Sequence, residues 1–239
     1  MPVQTLLPNS LAGLTGLSDE ILGCMELCQD PLFHKIPPEK ILYYVHESLQ
    51  AGRLAATTYK GLGIRRMCRD AGLRYEITEA SGKFHNVSFR AQIDFSKSTP
   101  EIILYASSLE GMRSVCQEIL GERLCGSAAD LDLLVDIHLA HEFYHWLEYR
   151  EKIFTNEKLE RVEVFKLGPY TRKSSVVQCC EIAAHAFCKE LLGLPFLPNL
   201  LDYAYLIGEQ QLAKGDFMEQ IETCKLWIGR TLNTSLSMI

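Results

Sequence analysis

The chain has 239 residues, 47% of them hydrophobic and 23% charged, with a net charge of −6. Those are ordinary globular proportions, which exclude a disordered or fibrous chain, and the length supports one sizeable core that buries roughly 70% of the unfolded surface, or at most two small ones. A net acid displaces few counterions from a phosphate backbone, so no direct nucleic-acid binding is expected, and no apolar run approaches the ~20 residues that cross a bilayer.

Residues 1–16 lack a basic start and a sustained apolar stretch, so no signal peptide and a cytoplasmic location are expected. The nine cysteines are an odd count, which fits reduced thiols packed as small hydrophobes. Cys24 and Cys28 are one helical turn apart and Cys179 and Cys180 are adjacent. Neither pair makes the usual tetrahedral zinc knuckle by itself.

The spacing predicts a short helix over 18–28, then a helix opened by the prolines at 37 and 38 on the apolar positions Ile41, Leu42, Val45 and Leu49. Further helices are predicted over 54–60 and 64–71, the second stopped by Gly72. Arginines 65, 66, 69 and 74 read as a solvated face. Residues 74–78 read as a strand. Alternation from Val87 to Phe95 predicts a half-buried strand, and 101–105 returns after a turn as its partner. The segment 101–105 is also the expected edge strand for a bound peptide.

Helix dominates beyond that point. One is predicted over 109–120, and a long one runs from a capping box at 127–130 to about 151. Residues 152–173 form a charged, partly extended stretch. A helix capped by Ser174 or Ser175 ends near Gly193, and two more follow over about 199–213 and 216–230.

The informative segment lies in the long helix, where His141, Glu142 and His145 spell HExxH. Histidines at i and i+4 differ by about 40° around a helix and can reach one metal, while Glu142 lies about 100° away, placed to take a proton from metal-bound water. Glu142 is the one charged residue from 137 to 147, and apolar residues surround it, so the helix reads as buried. Buried polar groups of this kind need a partner, which a zinc ion supplies.

Catalytic zinc takes three protein ligands plus water. The pattern HExxHxxGxxH fails, because Glu148 and Glu151 occupy its glycine and histidine positions. A glutamate on a later helix is the other solution. Glu181 is the one acid in the uncharged stretch 174–188, where Ala183, Ala184 and Ala186 would let the helix approach the first closely. The alternative for Glu181 is an acid satisfied by a core partner such as His185. His138 and His185 read as residues orienting the ligands, as oxyanion donors, or as satisfied core histidines. Tyr144, Tyr149 and Tyr170 are possible phenol donors, with nothing to select among them, and Cys188 shares the face of Glu181.

HExxH followed by E-x-x-A-x-x-F and a Leu-Leu-x-x-Pro ending (181–195) resembles the ImmA/IrrE zinc-metallopeptidase family, over about residues 40–200. The upstream order of helix, Gly72-Leu73-Arg74-Tyr75 strand and antiparallel pair is similar too. The resemblance implies zinc held by His141, His145 and Glu181, Glu142 as catalytic base, and cleavage of a partner protein, in that family often a transcriptional repressor. Two departures stand out: an insertion over about 107–130 and a long span between His145 and Glu181. The expected fold is α+β and zincin-like, helix-rich with a small twisted antiparallel or mixed sheet. Residues 1–37 are expected as an N-terminal extension or as part of the core, 38–230 as one metallopeptidase domain and 231–239 as a tail. The rival expectation is a catalytically inactive, metal-stabilised binding module with the same fold.

Overall fold

Ser18 opens the first helix in the computed structural model, which describes residues 16–80, 82–84, 87–120 and 129–236. Its Oγ accepts the Ile21 N–H at 3.3 Å, satisfying one of the donors that a helix start leaves unpaired. The helix that follows, α1 (Asp19–Leu27), is tied at its start by Asp19, which accepts from Arg53 at 2.6 Å and Lys189 at 2.7 Å.

Next comes α2 (Ile41–Thr57), preceded by a 3₁₀ turn at Pro38–Lys40. It takes in 54–57 of the separate helix expected over 54–60, and 58–60 form a turn. Gly52, a poor helix former, is held in α2 by packing. A Cβ on it would lie 2.0 Å from the carbonyl oxygen of Ala183 and 2.9 Å from the Cβ of Ala186. The small residues expected to bring their helix against HExxH thus include two that meet α2. Helix α3 (Ile64–Asp70) ends as predicted, with Gly72 at φ +71.

The strands depart further from expectation. They are β1 (Arg74–Thr78), β2 (Lys83–Phe84), β3 (Val87–Ser88), β4 (Ala91–Asp94) and β5 (Glu101–Tyr105). The predicted strand over 87–95 is two pieces in different sheets. β3 pairs with β2, while β4 runs antiparallel to β5, with Ile93 opposite Ile102. β1 lies parallel to the other side of β5, giving the order β1-β5-β4. The segment 101–105 is therefore the central strand, and the edge strands are β1 and β4. Ile102 and Leu104 of β5 are fully buried, as a central strand requires.

Helix α4 (Ala106–Leu120) starts three residues before the predicted helix, and α5 (Ala129–Glu151) carries HExxH. The expected cap at Ser127 lies outside the described residues, as do residues 237–239 of the tail. A short α6 (Thr155–Lys158) follows. The stretch over 152–173 then resolves into a hairpin of β6 (Val162–Leu167) and β7 (Tyr170–Ser174), turned by Gly168 at φ +57.

Helix α7 (Gln178–Leu192) begins later than expected. Ser174 ends β7, and the start of α7 is satisfied from a distance, the Gln178 N–H donating to Asp30 at 3.0 Å. Gly193, at φ +67, stops it where predicted. Helices α8 (Asn199–Gly208) and α9 (Lys214–Leu236) complete the chain, α9 running six residues past the expected end.

The architecture is α+β and zincin-like: helix-rich, with one three-stranded mixed sheet and two two-stranded ladders among the described residues. Its core runs continuously from α1 and α2 through α5 and α7 to α8. Arg65 of α3 pairs with Asp132 and Asp136 of α5, each at 2.6 Å, so it anchors a helix rather than facing solvent unpaired.

Candidate metal centre

Helix α5 is buried on most of its circumference, with Val135, Leu139, Phe143 and Trp146 on one side and Ile137, Ala140 and Tyr144 on another. His141 and His145 project one turn apart from it, and Glu181 projects from the first turn of α7. The three meet. His141 Nε2 lies 3.1 Å from His145 Nε2 and 3.1 Å from Glu181 Oε2, and His145 Nε2 lies 3.4 Å from Glu181 Oε1.

Tetrahedral zinc at 2.0–2.1 Å from nitrogen and oxygen ligands sets those ligands about 3.3 Å apart. The observed triangle has that size, so this group could hold a metal ion. Its electrostatics agree. Burial opposes charge on His145, yet hydrogen bonds to Glu148 and Glu181 outweigh it and raise the imidazole to about 10. Burial also opposes charge on Glu181, but hydrogen bonds to His141 and His145 hold its carboxyl well below the usual range. Positive charge is stabilised between these groups, which is what a divalent cation supplies.

Glu148 has a role here that the sequence does not announce. It is buried, its Oε2 lies 3.3 Å from His145 Nδ1, and its Oε1 accepts the buried Thr155 N–H at 2.7 Å. With Nδ1–H donated to Glu148, the Nε2 lone pair of His145 is left to face the metal position. The available signal was its place one turn after His145 on the same helix.

Glu142 is not part of the triangle. It is buried, it lines a cavity of about 230 Å³ with His141 and Glu181, and burial raises its pKa. Edge strand β4 packs against the HExxH helix, and its Ala91 lines the same cavity as Glu142.

His138 and His185 line the same cavity. His138 Nδ1 donates to the Leu134 carbonyl at 2.8 Å, and burial lowers its pKa to about 4. His185 lies tilted against His141, their ring centres 4.9 Å apart. Burial, and then the proximity of His141, hold it well below its ordinary pKa, so it is neutral. Its Nδ1 is buried without a hydrogen-bond partner among the described residues.

The tyrosines separate. Tyr149 stacks on Phe95 at 4.1 Å and lines a second cavity with His145 and Glu181. Tyr144 points elsewhere, its hydroxyl 2.8 Å from Thr155 Oγ1. Tyr170 sits at the exposed start of β7 and lines neither cavity. Cys188 is buried, its thiol donating to the Ile137 carbonyl at 3.4 Å, and it stands outside the triangle. Sequence reading did not foresee Arg90, which lines the first cavity, pairs with Asp202 at 2.9 Å and lies over the Tyr205 ring. No local pattern marks that pair, because its two members come from a loop and a distant helix.

No helix among the described residues is long and apolar enough to cross a membrane. No protein-family description, curated protein or solved structure matches the chain.

Proposed function

We propose that the chain is a zinc-dependent metallopeptidase of the type that the ImmA/IrrE resemblance implies, built as one domain over 38–230 with the N-terminal helix packed into it. The observation that carries this reading is the His141, His145 and Glu181 triangle, 3.1–3.4 Å on a side, with buried Glu142 beside it. His141 and His145 would ligate through Nε2 and Glu181 through its carboxylate.

Zinc bound there supplies Lewis acidity, polarising a peptide carbonyl and lowering the pKa of water toward ~7. Glu142 accepts the proton as the water oxygen bonds to the carbonyl carbon. It then delivers that proton to the amide nitrogen as the C–N bond breaks, leaving a carboxylic acid and an amine. Burial raises the Glu142 carboxyl above its ordinary pKa, which favours its holding the proton between the two transfers. Neutral His185 offers a ring N–H to the developing oxyanion.

The substrate is a protein or peptide in extended form, added along the β4 edge. Ala91 of that strand lines the cavity with His141, Glu142 and Glu181, so a peptide paired along β4 would pass beside the metal position. By the same resemblance, the partner is a small transcriptional repressor met in the cytoplasm.

The test is turnover of a co-purifying partner by the full chain, with and without a chelator. Cleavage that a chelator abolishes and added zinc restores is expected. A chain that binds zinc and its partner but never cleaves it would instead be a metal-stabilised binding module.

A further inference from the structure

Three cysteines converge away from the metallopeptidase site. Cys24 of α1 and Cys28, which caps that helix in helical conformation, lie one turn and about 40° apart around its axis, and Cys224 joins them from α9. Their ligand atoms all lie within 4.8 Å of one another. Cys24 and Cys224 are buried and Cys28 is half-buried. Among the described residues, Cys68, Cys179, Cys180 and Cys188 form no such group.

This is a different place from the His-His-Glu triangle. Glu26, about 200° around α1 from Cys24, is the residue of that helix that faces His185, at 4.0 Å. The cysteines occupy the other face. There Cys28 and Cys224 line a cavity of about 600 Å³ bounded by α1, α8 and α9.

We propose that Cys24, Cys28 and Cys224 bind a second zinc ion as thiolates, stapling α1 to α9. Zinc–sulfur bonds of about 2.3 Å in tetrahedral geometry set sulfurs about 3.8 Å apart, so the three need close by less than an ångström or so. On binding, three S–H bonds break, three Zn–S bonds form and three protons pass to solvent, with no change of oxidation state. The cavity leaves room for a water as fourth ligand.

Charge selects the ion. Three thiolates carry −3, and the charged residues lining the cavity, Asp216 and Glu219, are both acidic. Divalent zinc leaves the cluster at −1, whereas monovalent copper would leave −2 among the same acids. Zinc is also soft enough to prefer thiolate sulfur over the carboxylates nearby.

Cobalt(II) is the probe, because thiolate ligands give it a sulfur-to-metal charge-transfer band that imidazole and carboxylate do not. The reduced, metal-stripped full chain is titrated with Co²⁺. We expect this band in the wild-type chain and in Glu181→Ala, its displacement by zinc, and its loss in Cys28→Ser and in Cys224→Ser. Cys188→Ser keeps it. Circular dichroism verifies folding. Should Cys224→Ser unfold, the half-exposed Cys28 carries the comparison. The proposal fails if the reduced wild-type chain shows no band, or if the band survives in both Cys28→Ser and Cys224→Ser. It fails equally if the chain as purified holds a disulfide among these three in place of zinc. None of these outcomes depends on peptidase activity, and Glu181→Ala separates this site from the other.

Discussion

Replacing Glu148 by alanine removes two acceptors at once, one facing His145 Nδ1 at 3.3 Å and one holding the Thr155 N–H at 2.7 Å. The first loss acts on the metal. Without the carboxylate, the imidazole is free to change tautomer and to turn, and losing such an outer partner typically costs 10–100-fold in metal affinity, or about 1.4–2.8 kcal/mol. The second loss acts on folding. Thr155 is buried, so its N–H is left without an acceptor, at about 1–3 kcal/mol. In a domain of this size each kcal/mol lowers the melting temperature by about 2–4 °C. Glu148→Gln separates the two effects: its amide oxygen still accepts from Thr155 and preserves most of the stability, but a neutral partner supports His145 less well. Zinc competition against a chromophoric chelator and thermal unfolding of the metal-free chain measure the two quantities. If Glu148→Ala bound zinc as tightly as wild type, the assignment of Glu148 as the partner that orients His145 would be wrong.

Glu181→Ala should lose most of the zinc affinity of the His-His-Glu site, while Cys188→Ala, which sacrifices one weak hydrogen bond to Ile137, should not; equal affinities measured by the same competition would refute the ligand set. Gly52→Ala should destabilise by about 1–3 kcal/mol or more, although alanine is the better helix former, because its Cβ would meet the Ala183 carbonyl at 2.0 Å. A rise in melting temperature would show that α2 and α7 are not so close. His138 is held neutral, its pKa lowered by burial from the ordinary 6.5 to about 4. The unfolded chain therefore binds the extra proton first, and stability falls as pH drops from about 6.5 to 4, by about 3 kcal/mol. Urea unfolding of the metal-free chain should show that loss, and His138→Gln should lack it; identical slopes for the two would contradict the burial of His138.

What could be read from sequence was what depends on neighbours in the chain. The HExxH pair and the lone acid in an uncharged helix mark His141, His145 and Glu181 because helical spacing alone places each side chain on its face. The helix stops at Gly72 and Gly193 were legible for the same reason. Contacts between distant segments were not. β5 reads like any short apolar strand, and its central position comes from β1 crossing over to pair in parallel. The alternation from Val87 to Phe95 spans two ladders because Phe89 and Arg90 leave the strand between them, with the Phe89 N–H donating to Gly82. The hairpin at 162–174 was hidden by its charge, since Glu163, Lys166, Arg172 and Lys173 are open to solvent. Glu148 looked like a failed glycine position until Thr155 folded back onto it, and Cys24 and Cys28 looked like an incomplete pair until α9 brought Cys224.

The central claim, that this site hydrolyses peptides, turns on Glu142. Glu142→Gln keeps the shape of the side chain and removes its capacity to accept a proton, in a residue outside the ligand triangle. The decisive measurement is hydrolysis of a fluorogenic peptide library by zinc-loaded wild-type and Glu142→Gln chains, with zinc content assayed on both. The account predicts cleavage by wild type and, in the variant, unchanged zinc content with a rate lower by about 10²–10⁴, or 3–5 kcal/mol of barrier. Equal cleavage by the two chains, or cleavage by neither at full zinc occupancy, would contradict it.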